Sequence, residues 1–440
     1  MLNNKRKINE LFYIFITLHL ILWTLIPSIT NHNLPLDTIE ALAWGSNLDW
    51  GFNKHPPASA FFVEIFYQIF GSQDWAYYFL SQIFVIVSFF IVWTFSNEIF
   101  KNKVHSILSI LLLEGIYFYN FTTPEFNVNV CQLPFWSLTV YYSWKIFSKK
   151  FIDLKDCILL GLFAGIGFLS KYLFIYLLIS IDLLFFYLIF ILKDRKFDSK
   201  YYIIFAIFIL ILIPHIIWLT NNDYITITYG LSRTDFEQSN ILDHISLPLT
   251  FIVKQIGTIV PFLILIMFLV KKIKFRLNFK DKKLVFLIAI NLVPIILMFL
   301  TSLITGSKIR TMWMTPFYIF FGVMFVYILQ SQINIKKLKS FFIAFMIIFL
   351  ISPITYAYIS VTKDDKRTDY PGKQIAEKVQ QKWNEEFNIP INVVLGNEWN
   401  AGNLSYHLDS RPVWEGFVND NKLDKLNKYN CIDEICVGNK

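Results

Sequence analysis

The stretch PLDTIEALAWGSNLDWGFNKHPP (residues 35–57) concentrates groups able to move protons and bind anions. Asp37 and Glu40 are three residues apart, so on a helix their carboxylates share one face, and Trp44 extends that face by a turn. A carboxylate held within hydrogen-bond reach of a nucleophile can serve as its general base. The same spacing fits a capping box, in which Asp37 caps a helix and Glu40 bonds back to the cap amide. Lys54 and His55 stand directly before Pro56 and Pro57, whose restricted backbone holds them in place. That arrangement suits binding of a phosphate, and equally an interfacial turn.

Further ionisable groups recur in later polar interruptions: Glu125, Lys171, Asp223, Arg233, Asp235, Glu237, Asp243, His244, Lys308 and Arg310. Arg233, in NNDYITITYGLSRTD (221–235), suits a paired hydrogen-bond clamp on phosphate; the competing reading is a solvated loop cation. There is no P-loop, no GxGxxG after a strand, no Asp-x-Asp pair, no HExxH and no clustered Cys/His spacing. An activated substrate drawn from cytoplasmic nucleotides is therefore not expected.

These residues must be positioned by elements committed to lipid. Of 440 residues 55% are hydrophobic and 16% charged, against about 25% charged in soluble proteins. Apolar runs of about 20 residues, the length of one bilayer crossing, recur near 11–29, 75–96, 104–120, 127–146, 156–170, 173–192, 201–219, 247–270, 284–303, 312–330 and 340–359. The expected fold is an α-helical polytopic membrane protein with about eleven transmembrane helices. The first run follows Lys5, Arg6 and Lys7; a signal peptide is rejected because no small-residue cleavage site follows it and further spans do.

On this assignment the loops at one side hold 23 Lys and Arg, and the opposite loops hold Lys54, Lys171, Arg233, Lys308 and Arg310. The basic side is the cytoplasmic one. The net charge of +8 thus reflects topology, and no nucleic-acid partner is expected. Residues 1–359 form the expected multi-spanning domain, with a cytoplasmic N-terminus and a first extracytoplasmic loop at 30–74. Residues 360–440 form a small extracytoplasmic α/β domain, helical over 372–387 and strand-like over 391–396. ASAFFVEIFYQIFG (58–71) is too short to span and reads as a juxtamembrane helix with Glu64 and Gln68 as a thin polar face. Cys131 and Cys157 fall in apolar spans; Cys431 and Cys436, in the exported tail, are free to pair or to stay thiols.

LDTIEALAWGSNLDWGFNKHPP resembles the first-loop signature of the C-type (GT-C) membrane glycosyltransferases, the group of the protein O-mannosyltransferases and the lipid A aminoarabinose transferases. It is most similar to a bacterial branch with an Asp, an acid three residues on, a Trp-Gly, and a Gly-aromatic-x-Lys-His-Pro-Pro. The likeness continues at TPEFNVNV (123–130), GFLSKYLFIYLL (167–178), PHIIWLTNNDYITITYGLSR (214–233) and RTMWMTPFYIFFG (310–322), in the family's order over about three-quarters of the chain.

The resemblance implies an inverting glycosyltransferase that moves a sugar from a polyprenyl-phosphate donor to an acceptor on the extracytoplasmic face. Lipid A, another envelope lipid or glycan, and a protein hydroxyl all qualify as acceptor. Asp37 is the first choice of base and Glu40 the second; the family's acids are adjacent, and their separation here leaves that choice open. Lys54 and His55 come first for the donor phosphate, then Arg233, then Lys171, Lys308 and Arg310. Trp44, Trp50 and Tyr229 are the expected sugar or acceptor contacts. No cofactor is implied, with a divalent cation left open. The rivals are a transporter or flippase of lipid-linked glycans, which places polar groups near the midplane, and a non-catalytic partner subunit. GNEWNAGNLSYHLDSRPVWEG (396–416) looks like the peripheral domain of similar transferases, without implying site residues.

Overall fold

A computed structural model describes residues 5–193, 196–234, 240–275, 277–432 and 434–440. Asp235 and Glu237, two of the expected polar groups, lie outside these residues. The chain opens with α1 (Lys5–Thr30), then two helices that lie before the next long span, α2 (Leu36–Ser46) and α3 (Ala58–Phe70). After α4 (Asp74–Ile99) come shorter pieces: α5 (Lys103–Leu111), which passes into 3-10 turns over 112–119, α6 (Val128–Cys131), α7 (Leu133–Ser148) and α8 (Leu154–Ser170). The remaining membrane part comprises α9 (Ile175–Phe186), α10 (Tyr201–Asn221), α11 (Ile225–Ser232), α12 (Asp243–Leu269), α13 (Lys282–Thr305), α14 (Phe321–Leu329) and α15 (Leu338–Thr362).

Among the described residues seven helices are long and apolar enough to cross a membrane: Lys5–Thr30, Asp74–Ile99, Tyr172–Ile191, Tyr201–Asn221, Asp243–Leu269, Lys282–Thr305 and Leu338–Thr362. An eighth is reached if Thr311–Tyr318 and Phe321–Gln332, bent by 54° at their junction, count as one span. All eleven apolar segments seen in the sequence contain helix, and the three outside these eight are held by shorter α-helices. The 104–120 segment breaks into 3-10 turns after nine α-helical residues, α7 has 16 residues, and α8 has 17.

Small residues let the helices approach. Gly161 on α8 faces α10 so closely that a Cβ there would lie 2.6 Å from the Ile204 carbonyl oxygen, and Gly322 of α14 abuts the Ser109 carbonyl of α5.

The C-terminal part carries α16 (Gly372–Glu386), α17 (Glu398–His407) and α18 (Asp420–Leu423), with β1 (Val393–Leu395), β2 (Val413–Trp414), β3 (Lys428–Ile432) and β4 (Ile435–Asn439). Its sheet has the order β2-β1-β4-β3; β1 and β2 run parallel and the other pairs antiparallel. Cys431 and Cys436 face each other in the β3–β4 hairpin and are joined by a disulfide. This sheet does not stand apart. Helix α17 packs on α2, and Ala376, Trp383 and Leu404 share one continuous apolar core with the membrane part.

Candidate active site

Helix α2 begins at Leu36 behind Pro35, which makes no side-chain cap hydrogen bond. Proline's fixed φ suits a helix start, and the cap stands at Pro35, two residues before Asp37, where a capping box would need it. Asp37 therefore sits inside the first turn, and the capping alternative for Asp37 and Glu40 is not formed. Instead the Asp37 backbone N–H donates to Glu125 Oε1 at 3.0 Å. Asp37 and Glu40, one turn apart, both line a cavity of about 560 Å³.

The other walls come from four separate segments. The first loop brings Lys54 and His55; the break between α8 and α9 brings Lys171; α11 brings Tyr229 and, at its C-terminal end, Arg233; the segment after α13 brings Arg310 and Trp313. Thr226 Oγ1 of α11 donates to the Phe52 carbonyl at 2.6 Å, tying α11 to the first loop. Sequence reading thus placed eight residues that share this void: Asp37, Glu40, Lys54, His55, Lys171, Tyr229, Arg233 and Arg310.

Three of the expected residues are placed elsewhere. Trp44 is buried, stacked on Phe52 at 5.6 Å with its ring perpendicular to His55, so it forms a wall behind the loop. Trp50 is 45% exposed, packs edge-on against Phe61, and its carbonyl oxygen lies 2.5 Å from His215 Nδ1. Lys308 does not line the cavity; its backbone N–H donates to the Thr234 carbonyl at 2.9 Å.

The partners of each cavity residue differ in ways that matter chemically. Lys54 Nζ donates to Glu40 Oε1 at 2.8 Å and lies 3.4 Å from Glu398 Oε2 of α17. Lys171 Nζ donates to Asn129 Oδ1 at 2.5 Å and lies 5.3 Å from the Trp313 ring centre. Arg233 lies 5.8 Å over the Tyr229 ring. The buried Arg310 Nε has no hydrogen-bond partner among the described residues. Nor does the Asp37 carboxylate make a hydrogen bond among them.

Burial shapes the charges. It raises Asp37 above the usual carboxylate range, against the pull of Lys171, Lys54 and Arg233. Glu40 is likewise raised by burial, opposed by Lys54. Burial works to lower Lys54, but the Glu40 and Glu398 carboxylates outweigh it and hold the ammonium above its ordinary value. Burial and the cations Lys171, Lys54 and Arg233 drive His55 down to about 3, so its ring is neutral at pH 7. Burial brings Lys171 down to about 7, with Asp37 opposing. Burial and the Asp37 charge push Glu125 up to about 8, against the Asp37 N–H it accepts. Among the described residues no three His, Cys, Asp or Glu side chains converge as a metal site.

Sequence reasoning passed over Asn129, Tyr172, Tyr176, Thr301 and Trp313, which also line the cavity, and Glu398, which reaches its loop. Asn129 lies in NVNV and Trp313 in RTMWMTP, stretches noted for their likeness but without a charge to single them out.

The protein is an integral, multi-pass membrane protein whose helices and C-terminal sheet share the fold of known membrane transferase structures. It superposes on crystal structures of ArnT from Cupriavidus metallidurans. The form bound to undecaprenyl phosphate matches with a TM-score of 0.65 and 11% identity over 94% of this chain and 86% of that one. The apo form gives a TM-score of 0.64 and 11% identity, with 98% of each chain covered. Residues 54–218 match the family model described as dolichyl-phosphate-mannose-protein mannosyltransferase. The undecaprenyl phosphate-alpha-4-amino-4-deoxy-L-arabinose arabinosyl transferase of Wigglesworthia glossinidia brevipalpis is 32% identical over 111 residues, 23% of this chain; the match spans 18% of that relative's length.

Proposed function

We propose that the protein is a glycosyltransferase that moves a sugar from a polyprenyl-phosphate donor to an acceptor nucleophile, with inversion at the sugar's reacting carbon. One observation carries this reading. The cavity is lined by four cations, Lys54, Lys171, Arg233 and Arg310, against two carboxylates, Asp37 and Glu40. Lys54 is bridged to Glu40, which leaves Lys171, Arg233 and Arg310 facing Asp37 alone across the void. An apolar-walled space with surplus positive charge suits a lipid-borne phosphate. The superposed ArnT structure is a complex with undecaprenyl phosphate, which supports the same donor class.

In this reading Asp37 accepts the acceptor's proton, because its carboxylate is unbonded while Glu40 is engaged by Lys54. If the acceptor is already an ionised oxygen, Asp37 orients it. The sugar's bond to the acceptor oxygen forms as its bond to the donor phosphate breaks. The departing phosphate's charge falls to Arg310, Arg233 and Lys171, with His55 contributing at most a neutral N–H. Tyr229 is the remaining expected sugar contact that faces the void.

The site opens on the extracytoplasmic side with the N-terminus in the cytoplasm; the 23-to-5 loop asymmetry supports this orientation, as does the Cys431–Cys436 disulfide. Residues 360–440 then form the extracytoplasmic domain and 1–359 the membrane domain. The acceptor class is a lipid, glycan or protein hydroxyl at that face.

The test uses the full-length chain in detergent with a polyprenyl-phosphate-linked sugar and a lipid acceptor extract. Glycan mass gained by an acceptor, with release of polyprenyl phosphate, is the expected result. No donor cleavage with any acceptor class contradicts transfer, and movement of donor only across sealed vesicles identifies a transporter.

A further inference from the structure

Glu398 opens α17, in the C-terminal sheet part, and is 3% exposed. Its two carboxylate oxygens are spent on the first loop rather than on its own domain. Oε1 accepts from Asn53 Nδ2 at 2.6 Å, and Oε2 lies 3.4 Å from Lys54 Nζ. Lys54 is consequently held between two acids from opposite ends of the chain, Glu40 on α2 and Glu398 on α17.

The platform behind this contact is rigid. A Cβ at Gly402 of α17 would lie 3.0 Å from Ile39 Cγ2 and 3.1 Å from Ala43 Cβ, so the two helices pack closely there. Asn33 Nδ2 donates to Asn403 Oδ1 at 2.9 Å. Arg411 donates to the Leu42 carbonyl and to Glu64 Oε2, each at 2.8 Å, and lies 4.0 Å over Tyr67. The C-terminal part is thereby fixed to both helices that flank the KHPP turn. Glu398 cannot be relaxed without moving that turn.

We propose that Glu398 is a positioning residue of the cavity: together with Glu40 it fixes where the Lys54 ammonium stands in the void, and so makes the C-terminal part a component of the active site. Anchoring alone requires only the Asn53 hydrogen bond and the packing of α17. The second contact, to a cation that lines the cavity, is what anchoring does not explain. A cavity cation fixed in place by two carboxylates acts on the reacting geometry, where small displacements are costly.

Glu398→Gln separates these roles, since its amide oxygen still accepts from Asn53 while the negative charge facing Lys54 is lost. In the full-length protein, amine acetylation of Lys54 followed by mass spectrometry over a pH series reads the contact directly. Lys54 becomes roughly 3- to 10-fold more reactive in the variant, the change that a half to one unit in pKa gives. Donor-dependent transfer then loses roughly 10-fold in kcat while the donor KM stays within about 2-fold. If Glu398→Gln does not fold, Glu398→Asp retracts the carboxylate by one methylene and moves both readouts the same way by less.

Unchanged Lys54 reactivity overturns the proposal, and so does changed reactivity with wild-type kcat. The kinetic role rests on the transferase reading; the labelling does not. A wild-type protein without transfer whose Lys54 still responds to Glu398→Gln refutes the transferase reading and the kinetic role while the contact stands.

Discussion

His19 of α1 and Glu114, in the 3-10 turn that follows α5, meet at 3.1 Å with both side chains fully buried. Acid and base there come from separate elements and pair with each other, while His19 Nε2 and Glu114 Oε1 have no hydrogen-bond partner among the described residues. Around the α2 cavity the same kinds of group come from five segments and line one shared void. The two places are close neighbours in the fold: Thr311 lines a second cavity of about 400 Å³ together with Glu114, while Arg310 and Trp313 beside it line the first. Burial of ionisable groups in lipid is therefore not by itself a mark of chemistry in this protein. What distinguishes the α2 cavity is its charge balance: four cations, Lys54, Lys171, Arg233 and Arg310, line it against two carboxylates, Asp37 and Glu40.

The contrast can be broken or sharpened by substitution. The largest expected effect is at Asp37: Asp37→Asn lowers transfer by about 10³-fold, within the range of a lost general base, measured as polyprenyl phosphate released per folded molecule. Arg310→Gln follows with a loss of about 10²-fold in kcat, the scale of one removed charge-stabilising donor, in the same assay. Lys171 gives a smaller, pH-dependent effect. Its ammonium is present below about pH 7 and lost above it, so transfer declines on the alkaline side of neutrality. Lys171→Arg keeps the charge at all working pH values and removes that limb while changing the maximum rate only a few-fold. At the other pole, His19→Ala strips Glu114 of its partner and costs about 1–3 kcal/mol of stability, read as a lower thermal midpoint, yet leaves transfer per folded molecule within about 2-fold.

Much of the cavity was legible because charge is rare in so apolar a chain. Asp37, Glu40, Lys54 and His55 stood out as one polar island, and Lys171, Arg233 and Arg310 as isolated cations between apolar runs. Residues without charge gave no such signal; Asn129 and Trp313 are visible only once folding brings them to Lys171. Glu398 was illegible for a different reason: it lies 345 residues from Asn53, and no local pattern encodes a contact at that separation. The membrane count shows the converse limit. Hydropathy recognises apolar surroundings, which α7 and α8 have inside the bundle, but it does not fix where one helix stops and the next begins. The capping reading failed on one residue, since Pro35 takes the cap position that would have occupied Asp37.

The central claim is that the α2 cavity performs sugar transfer with Asp37 at the reacting end, and one measurement addresses it most directly. Wild-type and Asp37→Asn proteins, purified full-length in detergent, are given a polyprenyl-phosphate-linked sugar, and bound donor and released polyprenyl phosphate are quantified by mass spectrometry in the same samples. The account predicts that both proteins bind the donor and that only the wild type releases polyprenyl phosphate at a catalytic rate. Release by Asp37→Asn at the wild-type rate would contradict it.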